Sequence, residues 1–189
     1  QLLRLLLQCA LLLRHLRGVA GLQVMACASI ADAVRGALGA MLEEALAHRP
    51  QAIMLSFGDP RPFAAAIHSA GVLLVCQCQS MAHVREALEA GAEIIVAQGS
   101  EAGGHGAARG TMSLVPEVAD HLRQSSPDTL LVAAGGIADG RGLAAALMLG
   151  ADGVLMGTRF WAAREALVHP NHHAAILATG GDGTIRSHV

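Results

Sequence analysis

From about residue 22 onward, short apolar runs alternate with Ala/Leu-rich stretches, and that alternation constrains the fold more than any other feature of the sequence. The runs at 22–27 (LQVMAC), 52–57 (AIMLSF), 72–77 (VLLVCQ), 93–97 (EIIVA), 129–133 (TLLVA) and 153–156 (GVLM) read as buried strands, being brief and largely apolar. Between them, 31–48, 61–70, 81–90, 114–124 and 140–149 carry helical spacing. Three of these helices end on a glycine able to adopt positive φ: Gly71, Gly91 and Gly150. Such alternation implies parallel strands joined by right-handed crossovers, an α/β fold. Six strands are visible, two fewer than a closed (β/α)8 barrel needs, and an open doubly wound sheet competes with the barrel.

Composition narrows the function. The 189 residues suit one domain with a substantial core, and 53% hydrophobic against 15% charged residues leaves little room for disorder. A net charge of -2 gives no electrostatic footprint for nucleic acid, and 2% aromatics with no Tyr removes the usual base-stacking platforms. Residues 1–21 (QLLRLLLQCALLLRHLRGVAG) form an apolar segment of unclear status. Its apolar run between Arg4 and Arg14 is shorter than the ~18 residues of a membrane span. We read it as a helix exposed by a missing N-terminal region, with the domain proper at 22–189. The cysteines are Cys9, Cys27, Cys76 and Cys78; the last two, spaced by one residue, share a strand face. Buried, reduced thiols are expected, which favours a cytoplasmic setting.

The longest gap between strands follows 93–97 and opens with AQGSEAGGHGAARG, residues 97–110. Five glycines surround a single imidazole there, His105, and a neutral imidazole can take a proton at physiological pH. A surface loop has no need of glycine on both sides of a histidine. Glu101 is expected to satisfy backbone donors within the loop. Gln77 and Gln98 close two apolar strands on the same rim, where an amide can match the edge of a heterocycle or merely solvate a strand end. Two glycine sites follow later strands: Gly135–Gly136 with Asp139 beyond, and Gly157–Thr158. Glycine lets backbone N–H groups approach an anion, a helix N-terminus adds favourable field, and Thr158 adds a hydroxyl. A phosphate between the loops of two adjacent strands fits this pair of sites. The HPNHH run (His169, His172, His173) is not expected to bind metal, because Pro170 breaks the helical register that would align further ligands.

The stretches VAQGSEAGGHG (96–106), AAGGIADGRGLAAALMLGADGVLMGTRF (133–160) and SFGDP (56–60) together resemble the nitronate monooxygenase family, formerly 2-nitropropane dioxygenases. The resemblance runs from about Pro50 to the C-terminus; the second long stretch is also similar to flavin-dependent enoyl-[acyl-carrier-protein] reductases. It implies a (β/α)8 TIM barrel, incomplete here with about six of eight βα units, that binds FMN. It implies His105 as catalytic base. Gln98 and Gly103 match flavin contacts, Gly136 and the Leu155–Met156–Gly157–Thr158 turn match the phosphate grip, and Gln77 matches a group near the isoalloxazine ring. The activity implied is oxidation of alkyl nitronates or nitroalkanes with O2 to carbonyl compounds and nitrite. An enoyl reductase-like enzyme and a non-catalytic fragment are the alternatives. The partners implied are small molecules, with assembly as a homo-oligomer left open. The family opens with strands that carry flavin-contacting residues not found here, and it continues past GDGTIRSHV, so truncation at both ends is expected.

Overall fold

Each apolar run becomes a strand because its side chains can be buried on both faces of a parallel sheet, and each Ala/Leu-rich stretch becomes the crossover that covers one face. The structure, a computed structural model, describes residues 25–27 and 32–185; the apolar segment 1–21, with Cys9, lies outside them. The strands are β1 (Met25–Cys27), β2 (Ala52–Ser56), β3 (Leu73–Cys78), β4 (Ile94–Gln98), β5 (Leu130–Ala134) and β6 (Gly153–Leu155). The helices are α1 (Asp32–Ala47), α2 (Arg61–Ser69), α3 (Met81–Glu89), α4 (Thr111–Ser125), α5 (Gly140–Met148), α6 (Thr158–Trp161) and α7 (Pro170–Ala178).

The six strands form one sheet in the order β1-β2-β3-β4-β5-β6, every pair parallel. Strand order decides between the two architectures. A doubly wound sheet reverses direction at a switch point, whereas here every strand pairs with its sequence neighbour, the arrangement of a (β/α)8 barrel. Register is staggered as barrel closure requires: Met54 faces Val75, Val75 faces Ile94, and Ile94 faces Leu130, so β4 and β5 enter two residues later than β2 and β3. The described residues supply six of the eight strands of a TIM barrel.

Alternation along the strands divides the side chains between two faces. On the helix-covered face Ile53, Leu74, Cys76, Cys78, Ile95, Leu131 and Ala133 pack with Ile67, Val84, Leu114, Val115, Val118 and Leu122 in one large core. On the inner face a smaller cluster of Met54, Val75, Val96 and Ala134 packs with Ala52, Ile94, Val132 and Leu155. Cys76 and Cys78 therefore do share a face, buried and unpaired. Burial pushes the Cys76 thiol up to about 12 and raises that of Cys78 as well, so neither is a ready nucleophile.

Two local readings need correction. Pro170 does not interrupt a helix; it begins α7, with His169 as the N-cap accepting a hydrogen bond from the Asn171 N–H at 3.2 Å. The first turn of a helix has no use for the N–H that proline lacks. Helix α4 begins at Thr111 rather than 114, for a reason that lies in the site itself.

Candidate active site

Strand β4 ends at Gln98, and the Gly99 N–H donates to the Ala134 carbonyl at 2.9 Å, so the His105 loop leaves the sheet against the end of β5. Glu101 then turns back toward α4. Its carboxylate oxygens accept from the Thr111 N–H at 2.8 and 3.0 Å and from the Thr111 hydroxyl at 2.9 Å. Gly110, the residue before α4, has no side chain to cap it, and a carboxylate ten residues away in the loop satisfies the first N–H instead. Burial pushes the Glu101 carboxyl up, but the hydrogen bonds from Thr111 outweigh it and hold the group below its ordinary value. The expected role of Glu101, satisfying backbone donors, is the one observed. Side chains are excluded nearby: a Cβ on Gly99 would collide with the Thr111 hydroxyl and N–H, and one on Gly136 would come within 3.1 Å of Glu101 Cβ.

Farther along the loop, the His105 carbonyl accepts from Gln98 Nε2 at 2.9 Å and from Gln79 Nε2 at 3.3 Å. The imidazole itself is exposed on the rim, with its ring centroid 5.6 Å from that of Phe57. Phe57 follows β2 at φ 62, the left-handed region that costs a bulky residue about 1–2 kcal/mol. Neither Phe57 nor Gln79 stood out in the sequence. Nothing in the SFGDP run marks Phe57 for a left-handed backbone, and Gln79 looks like any polar residue after a strand. Gln77 is buried on the same face as Gln98, its Oε1 accepting from the Ser56 hydroxyl at 3.2 Å.

The two glycine turns are not equivalent. Gly135 and Gly136 both have positive φ, 108° and 70°, but the N-terminus of α5 just beyond them is already filled. Asp139 Oδ1 accepts from the N–H groups of Arg141 at 3.0 Å and Gly142 at 3.2 Å. Helix α6, in contrast, starts after Gly157 with no side-chain cap. Gly103 abuts it: a Cβ there would lie 3.8 Å from Thr158 Oγ1. The His105 loop thus runs along one rim, with Glu101 beside Gly136, Gly103 near Thr158 and the His105 ring beside Phe57. Gln77 and Gln98 close strands of the same rim. Leu155 turns its side chain into the inner cluster and Met156 is half-buried, leaving Gly157 and Thr158 as the exposed part of the turn.

The nitronate monooxygenase family model matches residues 22–187. The chain belongs to the nitronate monooxygenase family. It is 41% identical over 161 residues to a nitronate monooxygenase of Neurospora crassa, a match covering 75% of this chain and 43% of that protein. It thus spans less than half the length of such curated relatives. Among solved structures it resembles a nitroalkane oxidase from Streptomyces ansochromogenes (TM-score 0.73, 26% identity, 90% of this chain and 59% of that one). It also resembles FabK from Thermotoga maritima (TM-score 0.72, 30% identity, 84% and 47%).

Nitronate monooxygenase family members are FMN-dependent oxidoreductases. Along this rim lie the apolar inner cluster, the two buried amides of Gln77 and Gln98, and the start of α6, which no side chain caps and which begins with the Thr158 hydroxyl. Among the described residues no group of three or more His, Cys, Asp or Glu could hold a metal ion, and no helix is long and apolar enough to cross a membrane.

Proposed function

We propose that this chain contributes the flavin-binding rim and the base of an enzyme that oxidises alkyl nitronates and nitroalkanes with O2 to carbonyl compounds and nitrite. The observation that carries the reading is the single loop that brings His105, Gly103 and Glu101 alongside Phe57, Thr158 and Gly136 in a member of this family. Gly157 and Thr158 would take the FMN phosphate, since the α6 start is uncapped while that of α5 is occupied by Asp139. The absence of a side chain at Gly103 would let the coenzyme approach closely, Gly136, whose side-chain space Glu101 fills, would offer its backbone N–H, and Gln77 and Gln98 would meet the ring edge. When bound, FMN would supply the electron transfer between nitronate and dioxygen.

His105 has a narrower task. A neutral nitroalkane must lose its α-proton to become a nitronate; the imidazole takes that proton, breaking the C–H bond and leaving the electron pair delocalised over the nitro group. A preformed nitronate needs no base. Replacing His105 by Asn should therefore cut kcat/KM for a neutral nitroalkane by about 10²–10⁴ and leave that for the corresponding nitronate almost unchanged. Equal losses on both substrates would remove the base assignment. The buried free thiols fit a cytoplasmic setting, and the partners are then small molecules.

A second reading rests on the likeness of 133–160 to flavin-dependent enoyl reductases: reduction of an enoyl thioester at the same site. Anaerobic bleaching of the flavin-loaded chain by NADH, with no nitronate present, would favour it. Failure of the purified chain to acquire flavin absorbance after FMN is added would favour a non-catalytic fragment.

A further inference from the structure

His105 poses a mechanical problem. Glycines at 103, 104 and 106 flank it, and Gly104 has φ 80 with no atom close enough to restrain a side chain there. Such a segment carries little conformational bias of its own, and the imidazole is exposed. A base must stay within about 3 Å of the proton it removes, so something outside the loop has to fix the main chain at residue 105.

We infer that Gln79, together with Gln98, is a positioning residue that holds His105 for proton removal by hydrogen-bonding its backbone carbonyl. A carbonyl oxygen has two lone pairs and can accept both amides at once, at 2.9 Å from Gln98 and 3.3 Å from Gln79. Both glutamines are buried, at 8% and 6% exposure, so their amides are shielded from water on the donor side. Gln79 is itself held firmly. Its N–H donates to His83 Nδ1 at 3.4 Å, and the next residue, Ser80, caps α3 by accepting from the His83 N–H at 3.3 Å. Three successive strand ends thereby converge on one residue: Phe57 after β2 against the ring, Gln79 after β3 and Gln98 at the end of β4 against the carbonyl. The glycines give the loop freedom to reach this position, and the amides remove the freedom once it arrives.

This assignment rests on His105 being the base, and the test separates the two. Gln79→Met keeps the length of the side chain and loses the donor; Gln79→Glu keeps the shape and turns an acceptor toward the carbonyl. In both variants amide hydrogen exchange across 103–107 should quicken about 3- to 10-fold, the equivalent of one net hydrogen bond, while exchange in the strands stays as in the unsubstituted chain. FMN affinity, read by quenching of flavin fluorescence, should stay within about threefold, because only one bond to the loop is lost. The flavin-loaded chain should lose about 10-fold in kcat/KM on a neutral nitroalkane, misplacement of the base being costly, and keep its rate on the nitronate. Unchanged exchange at 103–107 in both variants would overturn the clamp, whatever the chemistry of the site. Faster exchange with equal losses on both substrates would overturn the positioning role and leave Gln79 a structural residue. His105→Asn measured on the same substrates shows separately whether the base assignment stands.

Discussion

The two ends of this sheet solve opposite problems with the same residue types. At the end where strands begin, glycine and carboxylate close the structure in a repeated way. Gly91 and Gly150 end α3 and α5 with positive φ, the following Ala92 and Ala151 bond back to Ala87 and Ala146, and the acid after each reaches across to the neighbouring strand. Glu93 accepts from the Leu74 N–H and Asp152 from the Leu131 N–H, both at 2.8 Å. At the end where strands finish, Gly99 and Gly136 instead let the loop pack tightly against Thr111 and Glu101, and the one carboxylate of the His105 loop, Glu101, braces a segment that has no ladder of its own. One end is a stop repeated from unit to unit; the other is a single assembly of residues from several units. Stability is expected to reside at the first and chemistry at the second, as in TIM barrels generally.

The contrast should break most visibly at Gly99. A Cβ there would collide with the Thr111 backbone N–H, which can yield only by shifting the start of α4, and with the Thr111 hydroxyl and the Glu101 carboxylate, so Gly99→Ala should cost about 3 kcal/mol where the loop meets α4. Because the loop is exposed, that cost can be shed by local opening. Hydrogen exchange should show protection lost across 99–111 and FMN uptake lost with it, while the strands remain protected. A variant whose whole sheet melts instead would show that the two ends are not mechanically separate.

Gly150→Ala strains the other end. Gly150 has φ 96, and an added Cβ would lie 2.8 Å from Ala119 Cβ. Left-handed strain and crowding together should cost about 2–3 kcal/mol. Here the strain has no local outlet, since the neighbouring Ala151 is buried and bonded into the turn. The midpoint of thermal unfolding should fall by about 5–10 °C with the His105 loop still ordered below it. Gly71→Ala sharpens the comparison: the same turn, φ 69, but open space around the added methyl, so only the backbone term of about 1 kcal/mol remains. Equal losses at 71 and 150 would mean that crowding contributes nothing.

This division also explains what the sequence disclosed. The strand-start end was legible because each device is local: an apolar run, a helix, a glycine two residues before an acid, all within one unit. The helix ends at Gly71, Gly91 and Gly150 and the strand positions follow from that repetition to within a residue or two, apart from β1, described from Met25. The site was legible only in part. His105, Gly103 and the Gly157–Thr158 turn stood out by glycine context, and strand order brings them to one rim. Their supports did not stand out, because each acts across the sheet: Gln79 on a carbonyl 26 residues away, and Phe57 through a backbone conformation that its side chain disfavours. The start of α4 was missed for the same reason. Its cap is Glu101, ten residues upstream, whereas helix-start rules examine only the adjoining residues.

That remote cap supplies the mildest test of how the two ends differ. Glu101 titrates below its ordinary value of 4.5 because Thr111 donates to the charged carboxylate. A group with a depressed folded pKa contributes stability that is fully present above its unfolded pKa and is lost as pH falls through the folded one. The brace should hold unchanged from neutral pH down to the ordinary carboxylate range and weaken only in more acid solution. The Thr111 amide proton reports it directly: its resonance should titrate below pH 4.5 in the unsubstituted chain and stay flat in Glu101→Gln. Exchange in the 103–107 segment at neutral pH should rise about threefold in that variant, the scale of a weakened charge-assisted bond at an exposed rim. Because the acids at the strand-start end bond to other partners, the Leu74 and Leu131 amides should not respond to Glu101→Gln. A response there would tie the brace to the closure beneath it.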